Sequence, residues 1–188
     1  FGLNALANNT IGMFNTALGR FTLNSNTAGS HNIAIGDSGL NKNTIGNANV
    51  ALGFESLKEI TDGESNIGIG YGTLKSILSG DSNIAIGSSS LSKITNETGN
   101  TVLGSGALWQ LQNGSYNTAL GYQAGLYFGA GISAMTATSN SIYIGAASKG
   151  LNATGSNNEI VIGNDAMMLQ FLCEILTSLK CNTSSTSL

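Results

Sequence analysis

Large and small side chains alternate along this chain inside a five-residue unit, Asn-x-small-aliphatic-Gly. The unit begins at Asn15, Asn32, Asn49, Asn66, Asn83, Asn100 and Asn117, and every interval is 17 residues. It closes at Gly19, Gly36, Gly53, Gly70, Gly87, Gly104 and Gly121, and Gly2 extends the series backwards. Alternation over a short run predicts a strand whose successive side chains point to opposite faces. One face carries Thr16/Leu18, Ile33/Ile35, Val50/Leu52, Ile67/Ile69, Ile84/Ile86, Thr101/Leu103 and Thr118/Leu120. These aliphatic pairs are expected to fill the interior. The other face carries Ala17, Ala34, Ala51, Gly68, Ala85, Val102 and Ala119. A water-facing strand surface should be polar. This small apolar column is therefore expected to be an interchain face, where a second backbone comes close.

Further columns share the period. Leu stands four residues after each Gly from Gly2 to Gly104, from Leu6 and Leu23 to Leu91 and Leu108. A second glycine series runs Gly12, Gly29, Gly46, Gly63, Gly80, Gly114 and Gly131, with Glu97 interrupting it. A 17-residue unit has room for two strands of about 4–5 residues and two turns, which is one coil of a β-solenoid. The predicted fold is all-β: a parallel β-solenoid or β-roll in which each coil advances the rod by about 4.8 Å. The Asn column is read as a ladder of side-chain amides at a turn. The glycine columns are read as corners with positive φ.

The strict register covers residues 1–121. Residues 122–165 hold an irregular insertion, Tyr122–Ser139, followed by two returning strands, Ser141-Ile-Tyr-Ile-Gly145 and Glu159-Ile-Val-Ile-Gly163. Residues 166–188 change character. Met168, Leu172, Ile175 and Leu179 are spaced for a short helix that caps the roll or begins a stalk. A reading-frame break in the source sequence would produce the same abrupt change. Phe1-Gly2-Leu3 already stands inside a repeat, so the chain reads as a piece of something longer.

Composition narrows the class. Gly is 26 of 188 residues, Pro is absent, and only 9% of residues are charged. Hydrophobic residues at 41% argue against a disordered chain. Glycine without an every-third spacing argues against collagen. A net charge of −3 gives no electrostatic reason to expect nucleic acid, and no apolar run is long enough for a membrane-spanning helix. Between Glu97 and Lys149 there is no charged residue at all. That much uncharged surface also suggests an interface.

Little in the sequence suggests catalysis, a metal or a cofactor. Gly68-Ile-Gly70-Tyr-Gly72 superficially resembles a nucleotide loop, but it lacks the full motif and lies inside the repeat. His31 has no His or Cys partner at metal-ligand spacing. A triad would have to use His31 with Asp37 or Ser38, all of them turn residues. Cys173 and Cys181 read as free or buried thiols. Sequons at Asn8, Asn96, Asn113, Asn152 and Asn182 are about as many as chance gives in so Asn-rich a chain. Thr10, Thr27, Thr44, Thr61 and Thr95 form a column, interrupted by Leu78, of the sort that ice-binding solenoids display. The second column those proteins usually carry is missing.

Asn32-Ile-Ala-Ile-Gly36-Asp-Ser38 and Asn49-Val-Ala-Leu-Gly53-Phe-Glu-Ser56 resemble the repeats of trimeric autotransporter adhesin heads of the YadA type. With Asn43-Thr-Ile-Gly46 between units, and with Asn117-Thr-Ala-Leu-Gly121-Tyr-Gln-Ala-Gly125, the chain is even more similar to tail-fibre repeats of phages and large viruses. The resemblance covers about residues 1–165. It implies a left-handed parallel β-roll, three chains per fibre and a surface-exposed role. The 17-residue period is longer than the units of the adhesin heads. The expectation is a non-enzymatic structural or adhesive fibre module, extracellular, on a virion or a bacterial cell surface. Its partners would be two further copies of itself and a host receptor or glycan, with no nucleic acid, no membrane insertion and no cofactor. The alternatives are a bacterial adhesin head and a monomeric ice- or carbohydrate-binding solenoid.

Overall fold

The computed structural model describes residues 1–127, 134–150 and 157–163. The expected helix at Met168–Leu179, with Cys173 and Cys181, lies outside the described residues. Nine strands of three residues each follow one another: β1 Thr16–Leu18, β2 Ile33–Ile35, β3 Val50–Leu52, β4 Ile67–Ile69, β5 Ile84–Ile86, β6 Thr101–Leu103, β7 Thr118–Leu120, β8 Ile142–Ile144 and β9 Ile160–Ile162. They form one parallel sheet in sequence order, each strand pairing with the next in strict register, Ala34 opposite Ala51 and Ala51 opposite Gly68. The chain is thus a β-solenoid in which one coil contributes one rung.

Each described coil holds a single strand, not the two expected. The rest of the coil still stacks through its backbone. Leu40 N–H donates to Ser56 O (3.2 Å), Lys42 N–H to Lys58 O (3.1 Å) and Thr44 N–H to Thr61 O (2.8 Å). Turn amides are satisfied by the next coil, so a second regular strand is not required to meet the backbone's hydrogen-bonding demand.

The alternation predicts two faces correctly and assigns them the wrong way round. Ala17, Ala34, Ala51, Gly68, Ala85, Val102 and Ala119 point into the chain's own core and are buried. They are therefore not an interchain face. Residues on either side of them point outward, giving each strand a burial pattern with only its middle residue inside. The physical reason is thickness. The inner face is filled by the Leu column, of which Leu23, Leu40, Leu57, Leu74, Leu91 and Leu108 are fully buried. At Gly68 an added Cβ would already lie 3.3 Å from Leu57 Cγ and 2.5 Å from Ser56 Oγ. Isoleucine has no room there.

The Leu column occupies unusual backbone. Leu40, Leu57 and Leu74 have φ of 50°, 52° and 52°. A left-handed conformation costs a bulky residue about 1–2 kcal/mol. Complete burial of a leucine contributes about 1.5–3 kcal/mol, so the strain is offset and the turn is held.

The two glycine columns have different causes. The closing glycines do have positive φ, 123° at Gly36, and a Cβ there would sit 2.6 Å from Gly53 O in the next coil. The second series corrects the expectation in part: Gly114 does have positive φ, 151°, but Gly12, Gly29, Gly46, Gly63 and Gly80 do not. Gly63 has no positive φ; its Cβ would meet Gly80 O at 2.5 Å. Close approach, not backbone handedness, selects glycine at that position. Gly36→Ala should therefore destabilise the coil much more than Gly72→Ala. Gly72 has φ 58° with nothing within 4 Å of an added Cβ. Its substitution should cost only the left-handed penalty of about 1–2 kcal/mol. Thermal melts of the two variants check this.

From Asn117 to Ser141 the spacing lengthens to 24 residues. The wider coil admits Tyr143 where earlier coils have alanine, glycine or valine. It is fully buried, and its hydroxyl donates to Glu159 Oε2 at 3.0 Å and lies 3.1 Å from Thr138 Oγ1. Burial pushes its phenol above the ordinary tyrosine range. Both returning strands, β8 and β9, stand where the sequence places them.

Candidate interaction surface

Two outward columns dominate the sheet face. One runs Thr16, Ile33, Val50, Ile67, Ile84, Thr101, Thr118, Ile142, Ile160; the other runs Leu18, Ile35, Leu52, Ile69, Ile86, Leu103, Leu120, Ile144, Ile162. Exposure reaches 47% at Leu18 and Leu103 and 63% at Ile160. No charged residue interrupts either column. Nine rungs at about 4.8 Å give a flat apolar strip about 40 Å long. Soluble monomers rarely expose so continuous a patch.

The Asn column locks the strip from behind. Asn32, Asn49, Asn66, Asn83, Asn100 and Asn117 are fully buried. Each amide closes its own coil and grips the next. Asn49 Nδ2 donates to Gly63 O (2.7 Å), while Asn49 Oδ1 accepts the Asn66 backbone N–H (2.9 Å). From Asn66 onward the amides also bond one another, Asn66 Nδ2 to Asn49 Oδ1 at 3.1 Å. Ser141 and Glu159 take over the position. Ser141 N–H donates to Asn117 Oδ1 and Glu159 N–H to Ser141 Oγ, both at 3.1 Å. Every polar group of the Asn side chain is thus spent on the fold.

A second, shorter ladder was not read from the sequence. Asn26 Nδ2 donates to Asn9 Oδ1 (2.7 Å) and Asn43 Nδ2 to Asn26 Oδ1 (2.7 Å). The next members of the column are Ile60, Ile77, Ile94 and Leu111, all fully buried. The ladder stops at Asn43, whose Oδ1 has no partner. Ile60→Asn would supply that missing donor. Ile77→Asn would set an amide between two isoleucines. We expect Ile77→Asn to be less stable than Ile60→Asn by about 1–3 kcal/mol, read from denaturant melts.

The other candidate residues are occupied structurally. Gly70 N–H donates to Leu52 O (2.8 Å) and Gly72 N–H to Phe54 O (2.9 Å), so this glycine run has spent two of its amides on the neighbouring coil and does not cradle a phosphate with them. His31 stacks on Phe14, ring centroids 5.0 Å apart. Asp37 accepts from Ser38 Oγ (2.6 Å) and from Arg20 Nε (2.8 Å). These bonds, the Ser38 hydroxyl first, hold its carboxyl below the usual range. The structure does not join the three as acid, base and nucleophile. Among the described residues no cluster of three His, Cys, Asp or Glu side chains is placed to hold a metal. Hydroxyls of Thr10, Thr27, Thr44 and Thr61 donate to the carbonyl of the next coil, Thr44 Oγ1 to Thr61 O at 2.9 Å. They are tied to the rod rather than turned freely to solvent.

Arg20 and Asp37 pair at the edge of the strip, and further charges lie on the turns behind it. Lys58 and Lys75 both reach Glu55, each at 2.6 Å, and hold its carboxyl below the usual range. Lys42 pairs with Glu59 at 2.5 Å. Such surface pairs contribute at most about 1 kcal/mol each.

Comparison of the chain with protein-family profiles, curated proteins and solved structures gives no match.

Proposed function

We propose that this chain is a non-enzymatic structural module of a homotrimeric fibre on the surface of a virus or phage. The rod holds, or itself forms, the region that touches a host surface. One observation carries the reading: two uncharged, mainly aliphatic columns, with threonine at three positions, run along all nine rungs on the outside of the coil. Taken across the five-residue unit, the face is about 17 Å wide and about 40 Å long and offers about 680 Å² of flat footprint per chain. That is on the scale of the roughly 800 Å² each partner buries in a stable interface. The turns behind it carry the Lys42, Glu55, Glu59, Lys58 and Lys75 charges and remain open to solvent or a receptor. The resemblance to fibre repeats supports the same reading. Sedimentation equilibrium tests it. The full chain should show three times its single-chain mass at micromolar concentration, and a monomer would remove the fibre reading.

A further inference from the structure

The aliphatic strip is bordered by two rails, whose contents complement each other on the first four rungs; on β5 and β6 both members are small (Ser82/Ser88, Gly99/Ser105), and on β7 both are tyrosine (Tyr116/Tyr122). One rail is the residue before each Asn; the other is the residue after each closing Gly. At β3 the pair is Ala48 and Phe54, and at β4 it is Ser65 and Tyr71. On these rungs one side is small and the other aromatic. Phe54 and Tyr71 stack on each other at 5.3 Å with 10° between their planes, forming a plate beside the strip. Phe54 is 42% exposed and Tyr71 61%. At β2 the pair is His31 and Asp37, a donor side chain and an acceptor; at β1 it is Phe14 and Arg20, an aromatic face and a cation. Within one chain the two members of a pair stand on opposite sides of the strand.

Three-fold packing brings the rails together. Opposed sheet faces stand about 10 Å apart, so each strip lies about 5 Å from a shared axis. A triangle with that inner radius has sides of about 17 Å, the span of five extended residues at about 3.3 Å each. The corners then fall at the two rails. A two-fold axis across the rod would instead set each rail against itself, plate against plate.

We propose that the rails are the two halves of a heterologous seam between copies of this chain. The chains run parallel and in register, and the Phe54–Tyr71 plate of one copy covers Ala48 and Ser65 of the next. This rests on the trimeric reading above. It assigns the partner of each rail as the opposite rail of a second copy.

Disulfide trapping tests the seam in the full chain carrying Cys173→Ser and Cys181→Ser. Ser65→Cys with Tyr71→Cys places thiols six residues apart across the extended strand β4. That distance is on the order of 16–20 Å, beyond the roughly 7 Å Cα limit for a disulfide within one chain. Ser65 already has φ 58°, so Cys adds no new backbone strain relative to Ser. Oxidation should convert the double variant to a covalent trimer on a non-reducing gel, while either single variant stays at chain mass. Ala48→Cys with Phe54→Cys repeats the test at β3 and should give the same result. A covalent dimer as the end product, or a dimer from a single variant, overturns the seam. So does failure of both pairs to cross-link in a protein whose sedimentation mass is trimeric; in that case the trimer stands and only the seam falls. A monomeric wild-type mass removes both.

Discussion

Ala85→Arg should leave no folded chain. Ala85 is fully buried in the core of its own coil, in register with Gly68 on one side and Val102 on the other. The neighbouring Gly68 position has no space even for a methyl group. An arginine there overpacks the coil and buries an unpaired charge, which costs several kcal/mol. Total stability of a domain is about 5–15 kcal/mol, and both neighbouring coils lose their register together. The far-ultraviolet strand signal should be absent and soluble yield should collapse. A variant that keeps its strand spectrum and unfolds at the wild-type temperature would return the Ala column to the outside.

Ile86→Asp should do the opposite. Ile86 lies on the outward column between Ile69 and Leu103. A carboxylate at this position reaches solvent in the single chain, so the coil should still fold. In the proposed trimeric fibre the same change would bring three carboxylates toward one axis, where symmetry multiplies the repulsion. The expected product is a folded monomer, with the strand spectrum retained and the mass reduced to one third in light scattering. If Ile86→Asp instead unfolds the chain as completely as Ala85→Arg, the aliphatic pairs are interior after all.

The difference between these two variants marks where the sequence could be read and where it could not. The period of 17, the parallel stacking of coils in sequence order and the returning strands at Ile142–Ile144 and Ile160–Ile162 follow from the repeat spacing, whereas the single strand per coil does not. Alternation also separates two faces, but it does not say which is buried. Ranking the larger side chains as interior fails here because a coil with one strand is thin. Leu40, Leu57 and their column mates already occupy the inside. Two signals were available. The Leu column recurs without substitution from Leu6 to Leu108, whereas the strand column admits Thr16, Thr101 and Thr118. Hydroxyls recurring in a column suit a half-exposed face better than a core. The positive φ of the Leu column had no signal, because leucine is a residue that ordinarily avoids it. The short ladder Asn9–Asn26–Asn43 was hidden by its replacement with Ile60 in the same register.

The central claim is that the aliphatic columns face other copies of the chain while the small column faces its own coil. Isotope-filtered NOEs on a mixture of methyl-labelled and unlabelled chains test it most directly. Interchain NOEs should appear at the methyls of Ile35, Ile69 and Ile86 and be absent at Ala34, Ala51 and Ala85. Interchain NOEs at the alanines with none at the isoleucines would contradict the account.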